Sequence, residues 1–168
     1  GTLFFRADGG ASGYELWKSD GTFAKTVLVK DINPGSADSL GWSNSLTNVN
    51  GTLFFRADDG AHGYELWKSD GTAENTVLVK DVLTGSDGSY ADYLQNLNGT
   101  LFFSANDGTY GYELWKSDGT VENTVLVKDI RPGDPWISSR PEYLTAVVGT
   151  LFFTAYDDAY GRELWKSD

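Results

Sequence analysis

A chain of 168 residues with a formal charge of −11 and no cysteine excludes several classes of protein. Its negative field repels nucleic acid and anionic membrane, it can build neither a disulfide framework nor a thiolate metal site, and no apolar run approaches the roughly 18 residues of a membrane helix. Aromatic residues at 14% and 20 glycines indicate many strands joined by tight turns rather than disorder, in a chain long enough to bury roughly 70% of its unfolded surface.

The chain enters directly on Gly1-Thr2-Leu3-Phe4-Phe5, and GTLFF returns at Gly51, Gly99 and Gly149, a period of 48–50 residues. ELWKSD follows at Glu15, Glu65, Glu113 and Glu163, and TVLVKD at Thr26, Thr76 and Thr124. A fixed period of this length marks a unit that buries its apolar face only by stacking on copies of itself. No signal peptide is visible. Because the first residue lies inside a repeat and is not methionine, the native N-terminus is expected to have been lost.

The second copy predicts four strands. Ser45 to Val49 is a short first strand, and Asn50-Gly51 a two-residue hairpin turn with positive φ at both positions. Thr52 to Ala57 follows, with Leu53, Phe55 and Ala57 on one face and Phe54 and Arg56 on the other. Apolar residues on both faces imply a sheet covered on both sides. After a turn at 59–63, Tyr64 to Ser69 is the third strand, with Leu66 and Trp67 on opposite faces. Asp70-Gly71-Thr72 turns again into the β-branched fourth strand, Thr76 to Lys80. Helical periodicity is absent throughout.

Long Gly/Pro/Ser/Asp links follow each unit at 33–45, 83–92 and 131–142. Hairpins within a unit and a longer crossover between units form the pattern of a β-propeller blade. The expected fold is all-β: tandem four-stranded antiparallel meanders, as blades of a partial or oligomer-completed ring. Residues 1–44 form a partial blade of three strands, 45–92 and 93–142 full blades, and 143–168 a second partial blade of three. Two partial blades summing to six strands do not complete one blade of four. Three arrangements remain open: a window of a longer array, two chains forming an eight-bladed ring, or a four-bladed ring with two three-stranded blades. Unpaired edges seek partners, so self-association is expected.

ELWKSDGT, GTLFF-x-A and TVLVKDI-x-PG resemble the bacterial ELWxxDGT repeat proteins. The phrase is matched at 15–22, 65–72 and 113–120, and the fourth occurrence, Glu163 to Asp168, stops before Gly-Thr. The resemblance implies propeller-like tandem repeats in large exported or surface proteins, hence an extracellular or cell-surface location, and brings no catalytic residue with it. Where the family often repeats Gly-Thr, this chain has Lys25-Thr26, Asn75-Thr76 and Asn123-Thr124.

Candidate chemistry is weighed against this repetition. Trp17, Trp67, Trp115 and Trp165, with Phe5, Phe55, Phe103 and Phe153, recur at one phase and are expected as the repeat core; the alternative makes the tryptophans sugar-stacking platforms. Trp42 and Trp136, in the variable crossovers, are candidate ligand contacts, together with Tyr90 and Tyr110. Asp58, Asp59, Asp107, Asp157 and Asp158 sit in acidic turns, where calcium is the candidate ion and ordinary turn chemistry the alternative. Ser19, Ser69 and Ser117 beside Asp20, Asp70 and Asp118 lack a general base, because the one histidine, His62, lies in a single loop. Glu15, Glu65, Glu113 and Glu163 are expected to pair with a neighbouring Lys or Arg, such as Lys18, Lys68 or Lys116 across the sheet.

The resulting expectation is a non-enzymatic repeat scaffold or adhesion module with a protein or glycan partner. A lectin-like module with one weak site per blade and a self-assembling ring or fibre element are the alternatives.

Overall fold

The computed structural model describes residues 1–42, 46–133 and 136–168. The described residues form four antiparallel sheets. The first contains β1 (Leu3–Asp8), β2 (Tyr14–Ser19) and β3 (Val27–Lys30); the second β4 (Thr47–Val49), β5 (Thr52–Asp58), β6 (Tyr64–Ser69) and β7 (Val77–Lys80). The third contains β8 (Asp92–Leu97), β9 (Thr100–Asn106), β10 (Tyr112–Ser117) and β11 (Val125–Lys128); the fourth β12 (Glu142–Val147), β13 (Thr150–Asp157) and β14 (Gly161–Ser167). Every strand pairs with its sequence neighbour, so each sheet is a meander. The all-β class and the strand numbers per sheet match the sequence reading. The expected start of β4 at Ser45 lies outside the described residues, and β8 and β12 begin at Asp92 and Glu142, each on the last residue assigned to the preceding crossover.

Local chemistry explains the turns. Asn50-Gly51 and Asn98-Gly99 take φ of 52° and 90° and of 52° and 87°, the left-handed pair a type I′ hairpin requires. The fourth copy places Val148 at φ 46° in that position, where a β-branched side chain is strained. A feature absent from the sequence reading is a bulge repeated in three sheets. Between Leu16/Trp17, Leu66/Trp67 and Leu114/Trp115 the register to the rim strand slips, leaving one extra residue and increasing local twist.

Alternation decides the packing. Leu53, Phe55, Ala57 and Trp67 of the second sheet meet Leu16, Val29, Ile32 and Leu40 of the first unit. On the opposite face, Phe54 and Leu66 join Leu101, Phe103, Ala105 and Trp115 of the third. A third cluster joins Phe102, Leu114 and Ile130 to Leu151, Phe153 and Ala155. Each fully buried side chain of this kind is worth about 1.5–3 kcal/mol. β8 lies against both β4 and β12, so the first strands of the three later sheets are adjacent. Among the described residues no apolar cluster joins the fourth sheet to the first.

Candidate functional site

The repeated glutamates have a use that sequence reading assigned wrongly. Instead of pairing with a lysine or arginine, Glu15, Glu65 and Glu113 are completely buried and hold the crossover of their own unit. Glu15 accepts from the Ile32 N–H at 3.1 Å, the Ser39 N–H at 3.2 Å and Ser39 Oγ at 2.5 Å. Glu65 accepts from Leu83 N–H and from Ser89 N–H and Oγ. Glu113 does the same with Ile130 and Ser139. Burial pushes all three carboxyls above their usual 4.5 despite these bonds. The same serines carry the link onward: the carbonyls of Ser39, Ser89 and Ser139 accept from the N–H of Asp58, Asn106 and Tyr156 on the next sheet. Sequence reading passed over these serines, although a serine recurs 24 or 26 residues after each of the three glutamates. Glu163 is exposed.

The lysines instead clamp neighbouring sheets. Lys18 and Lys68 Nζ donate to the Gly71 and Gly119 carbonyls at 2.6 and 2.7 Å. Lys30 and Lys80 donate to the Thr76 and Thr124 carbonyls, both at 2.8 Å. Lys30, Lys80 and Lys128 also lie 5.6–6.0 Å from the ring centres of Trp67, Trp115 and Trp165, within cation–π reach. Trp67 and Trp115 are buried between sheets, whereas Trp17 and Trp165 are half-buried. Phe55, Phe103 and Phe153 are buried and Phe5 half-buried.

The Ser/Asp pairs close turns. Asp20, Asp70 and Asp118 each accept from the N–H and Oγ1 of the threonine two residues on, which holds these carboxyls below their usual value. Ser19, Ser69 and Ser117 hydrogen-bond to Thr26, Thr76 and Thr124. The candidate calcium carboxylates also serve local backbone. Asp58 accepts from Gly60, Asp59 from Ala61 and His62, Asp107 from Thr109 and Tyr110, and Asp157 from Ala159 and Tyr160. Asp158 binds Arg131 at 2.6 Å. They are spread over three separate turns, and no group of three His, Cys, Asp or Glu suited to a metal occurs among the described residues.

What remains lies at the crossover end of the sheets, where the arginines contact the crossovers or the strand ends beside them. Arg6 donates to the Leu40 carbonyl and lies 3.4 Å from the Tyr14 ring centre and 5.1 Å from that of Trp42. Arg56 pairs with Asp92 at 3.5 Å and Arg162 with Glu142 at 3.0 Å. Around the third sheet three clefts share walls. One of about 310 Å³ lies among Arg56, Tyr90, Asp92, Tyr112, Arg140 and Glu142. A second of about 310 Å³ shares Tyr90 and Tyr112 and adds Trp136, Asp87 and Asn106. The third, about 200 Å³, shares Trp136 and Arg140 and adds Arg131 and Tyr156.

Two of the four candidate contacts, Tyr90 and Trp136, are therefore brought to one place. Trp42 stands apart against Tyr14, at 6.4 Å between ring centres, and Tyr110 lines none of the three clefts. Sequence reading missed Tyr112, Arg140, Asp92 and Glu142. For Arg140, Asp92 and Glu142 the signal is divergence at equal phase: directly after the anchoring serine come Leu40, Tyr90 or Arg140, and three residues after it Trp42, Asp92 or Glu142, whereas Tyr112 matches Tyr14 and Tyr64.

No protein-family profile matches the chain, and no curated protein is significantly similar to it.

Proposed function

We propose that this chain is a non-enzymatic, β-propeller-type repeat module, a scaffold or adhesion element that displays its crossover face to a partner. The observation that carries this reading is the use of the repeated polar residues. The glutamates of the first three copies, with their serines, tie crossovers to sheets; lysines clamp sheet to sheet; the DGT aspartates close turns. The groups with the polarity for chemistry are thus engaged in structure, and the differences between copies gather on the crossovers, where loops carried by a rigid frame usually bind. The resemblance of ELWKSDGT to the bacterial repeat family supports an exported or surface setting.

The test is adhesion of protein-coated beads to surfaces carrying polysaccharide or extracellular protein. A triple variant, Trp42→Ala, Tyr90→Ala and Trp136→Ala, should lose adhesion while keeping its circular dichroism spectrum. Unchanged adhesion sinks the reading, as does hydrolysis of any polymer that one substitution abolishes.

A second reading, self-assembly, is favoured by the two outer sheets. Leu164 is 71% exposed, whereas Leu16, Leu66 and Leu114, its equivalents, are at most 1% exposed. Leu3 is 65% exposed, against at most 7% for Leu53, Leu101 and Leu151. The two outer faces are thus opposite halves of a contact made three times within the chain. A head-to-tail copy would cover both, giving a mass above 18.4 kDa by light scattering that Leu164→Asp returns to the monomer; a monomeric wild type rejects this reading.

A further inference from the structure

We infer that the three joined clefts around the third sheet form one groove for a linear oligosaccharide of pyranose units. The inference rests on reading the crossover face as the binding surface, and it names the ligand class. At the groove, differences between copies from two successive crossovers converge. Arg56 comes from the second unit, Tyr90 and Tyr112 from the second crossover and the third sheet, and Arg140 and Glu142 from the third crossover and β12. A site where equivalent positions carry different residues, Tyr90 against Arg140 and Asp92 against Glu142, has the asymmetry that the repeated motifs lack.

Its backbone is also unusual. Four of the non-glycine residues with positive φ lie here or against it: Tyr90 at 51°, Tyr93 at 55°, Arg140 at 46° and Tyr143 at 57°. Bulky residues hold such angles only where surrounding structure over-determines them, and they gather at binding sites. The restraint is visible. The N–H groups of Tyr90 and Arg140 donate to the Tyr64 and Tyr112 carbonyls at 2.9 and 3.0 Å, and each residue follows a serine pinned by a buried glutamate. Tyr90 stacks obliquely on Tyr64 and Tyr93 on Tyr143, with ring centres 5.7 and 6.1 Å apart. The walls are thus pre-organised, which lowers the entropy lost on binding.

The chemistry of the walls selects the ligand. Tyr90, Tyr112, Tyr156 and Trp136 offer rigid amphipathic rings, whose electron-rich faces suit the C–H face of a sugar. Burial raises the Tyr112 and Tyr93 hydroxyls above their usual 10.0, so at neutral pH they remain donors and acceptors. Arg56–Asp92, Arg162–Glu142 and Arg131–Asp158 are neutralised pairs that present planar donors and acceptors with little net field. That disfavours a polyphosphate, and the scarcity of aliphatic wall residues disfavours a lipid chain. Each cleft is at or below the small end of the range for ligand pockets, about 300–1,000 Å³. Three that adjoin across shared side chains fit a chain of small units better than one compact molecule.

The test is calorimetric titration of the full chain with cellohexaose, hexagalacturonate and cellobiose, with circular dichroism of every variant. Saturable binding of either hexamer is expected, at least about tenfold tighter than the disaccharide because more subsites are engaged; preference for the uronate would show that the Arg140 charge is used. Trp136→Ala and Arg140→Gln should each weaken binding about tenfold, as loss of a main contact does, and Phe23→Ala, an exposed aromatic that lines none of the three clefts, should leave it unchanged. No binding of either hexamer at millimolar concentration overturns the inference, and so does binding insensitive to both groove variants. If the hexamers fail while the triple variant still abolishes bead adhesion, only the ligand class falls; if both fail, the display reading falls with it.

Discussion

Glu113 and Glu163 begin the same six residues, on the third and fourth sheets, in opposite surroundings. Glu113 is fully buried and accepts three hydrogen bonds from its crossover; Glu163 is exposed. Next to them Leu114 is 1% and Leu164 71% exposed. The motif therefore does not carry its own environment. A crossover folded back over the sheet, and a following sheet, supply it, as expected where stability is a sum of nearest-neighbour terms.

The sharpest break of this comparison is removal of the carboxylates. Glu113→Ala strands the Ile130 and Ser139 N–H groups and the Ser139 hydroxyl without their acceptor, and should cost about 3–5 kcal/mol. Glu163→Ala should shift stability by less than about 0.5 kcal/mol. Urea denaturation midpoints decide it, and equal shifts would refute the glutamate–serine link.

The same pair gives a pH signature. The folded-state pKa of Glu113 lies above its usual 4.5, so the folded protein holds the proton more tightly than the unfolded chain. That contribution is fully present below 4.5 and is lost as pH rises through the folded value. Stability profiles should show this decline diminished in Glu113→Gln and unchanged in Glu163→Gln; an identical slope in all three proteins would deny the burial effect.

The lysine clamps provide a smaller contrast. Lys68→Met removes a charged hydrogen bond to Gly119 at 2.7 Å and should cost about 1.5–3 kcal/mol. Lys116, its exposed equivalent on the third sheet, should tolerate methionine within about 0.5 kcal/mol. Thermal midpoints measured side by side would show whether the clamp or the lysine stem matters. Smallest, and of opposite sign, is the last hairpin. Val148→Asn puts into the left-handed position the residue already found at Asn50 and Asn98, and should stabilise by about 0.5–1 kcal/mol. A loss of stability would show that the valine is held there by packing.

Much of the fold was legible because it is written at short range. Alternation over two residues separated Leu53, Phe55 and Ala57 from Phe54, and Asn50-Gly51 determined its own turn. The candidate site was legible only in part. Tyr90 and Trp136 stood out as aromatics in variable links, but nothing local distinguishes Tyr112 from Tyr14 or Tyr64, which occupy the same phase.

By itself the sequence determined the strands, their faces and the repeat, since backbone preference and side-chain period act between residues that are neighbours in the chain. Only the tertiary structure decided that the glutamates bind serines rather than lysines, and that Arg56, Tyr112 and Arg140 share one groove. Those outcomes depend on which residues desolvate together across 24 or more positions, and burial sets whether a polar group finds a partner in protein or in water.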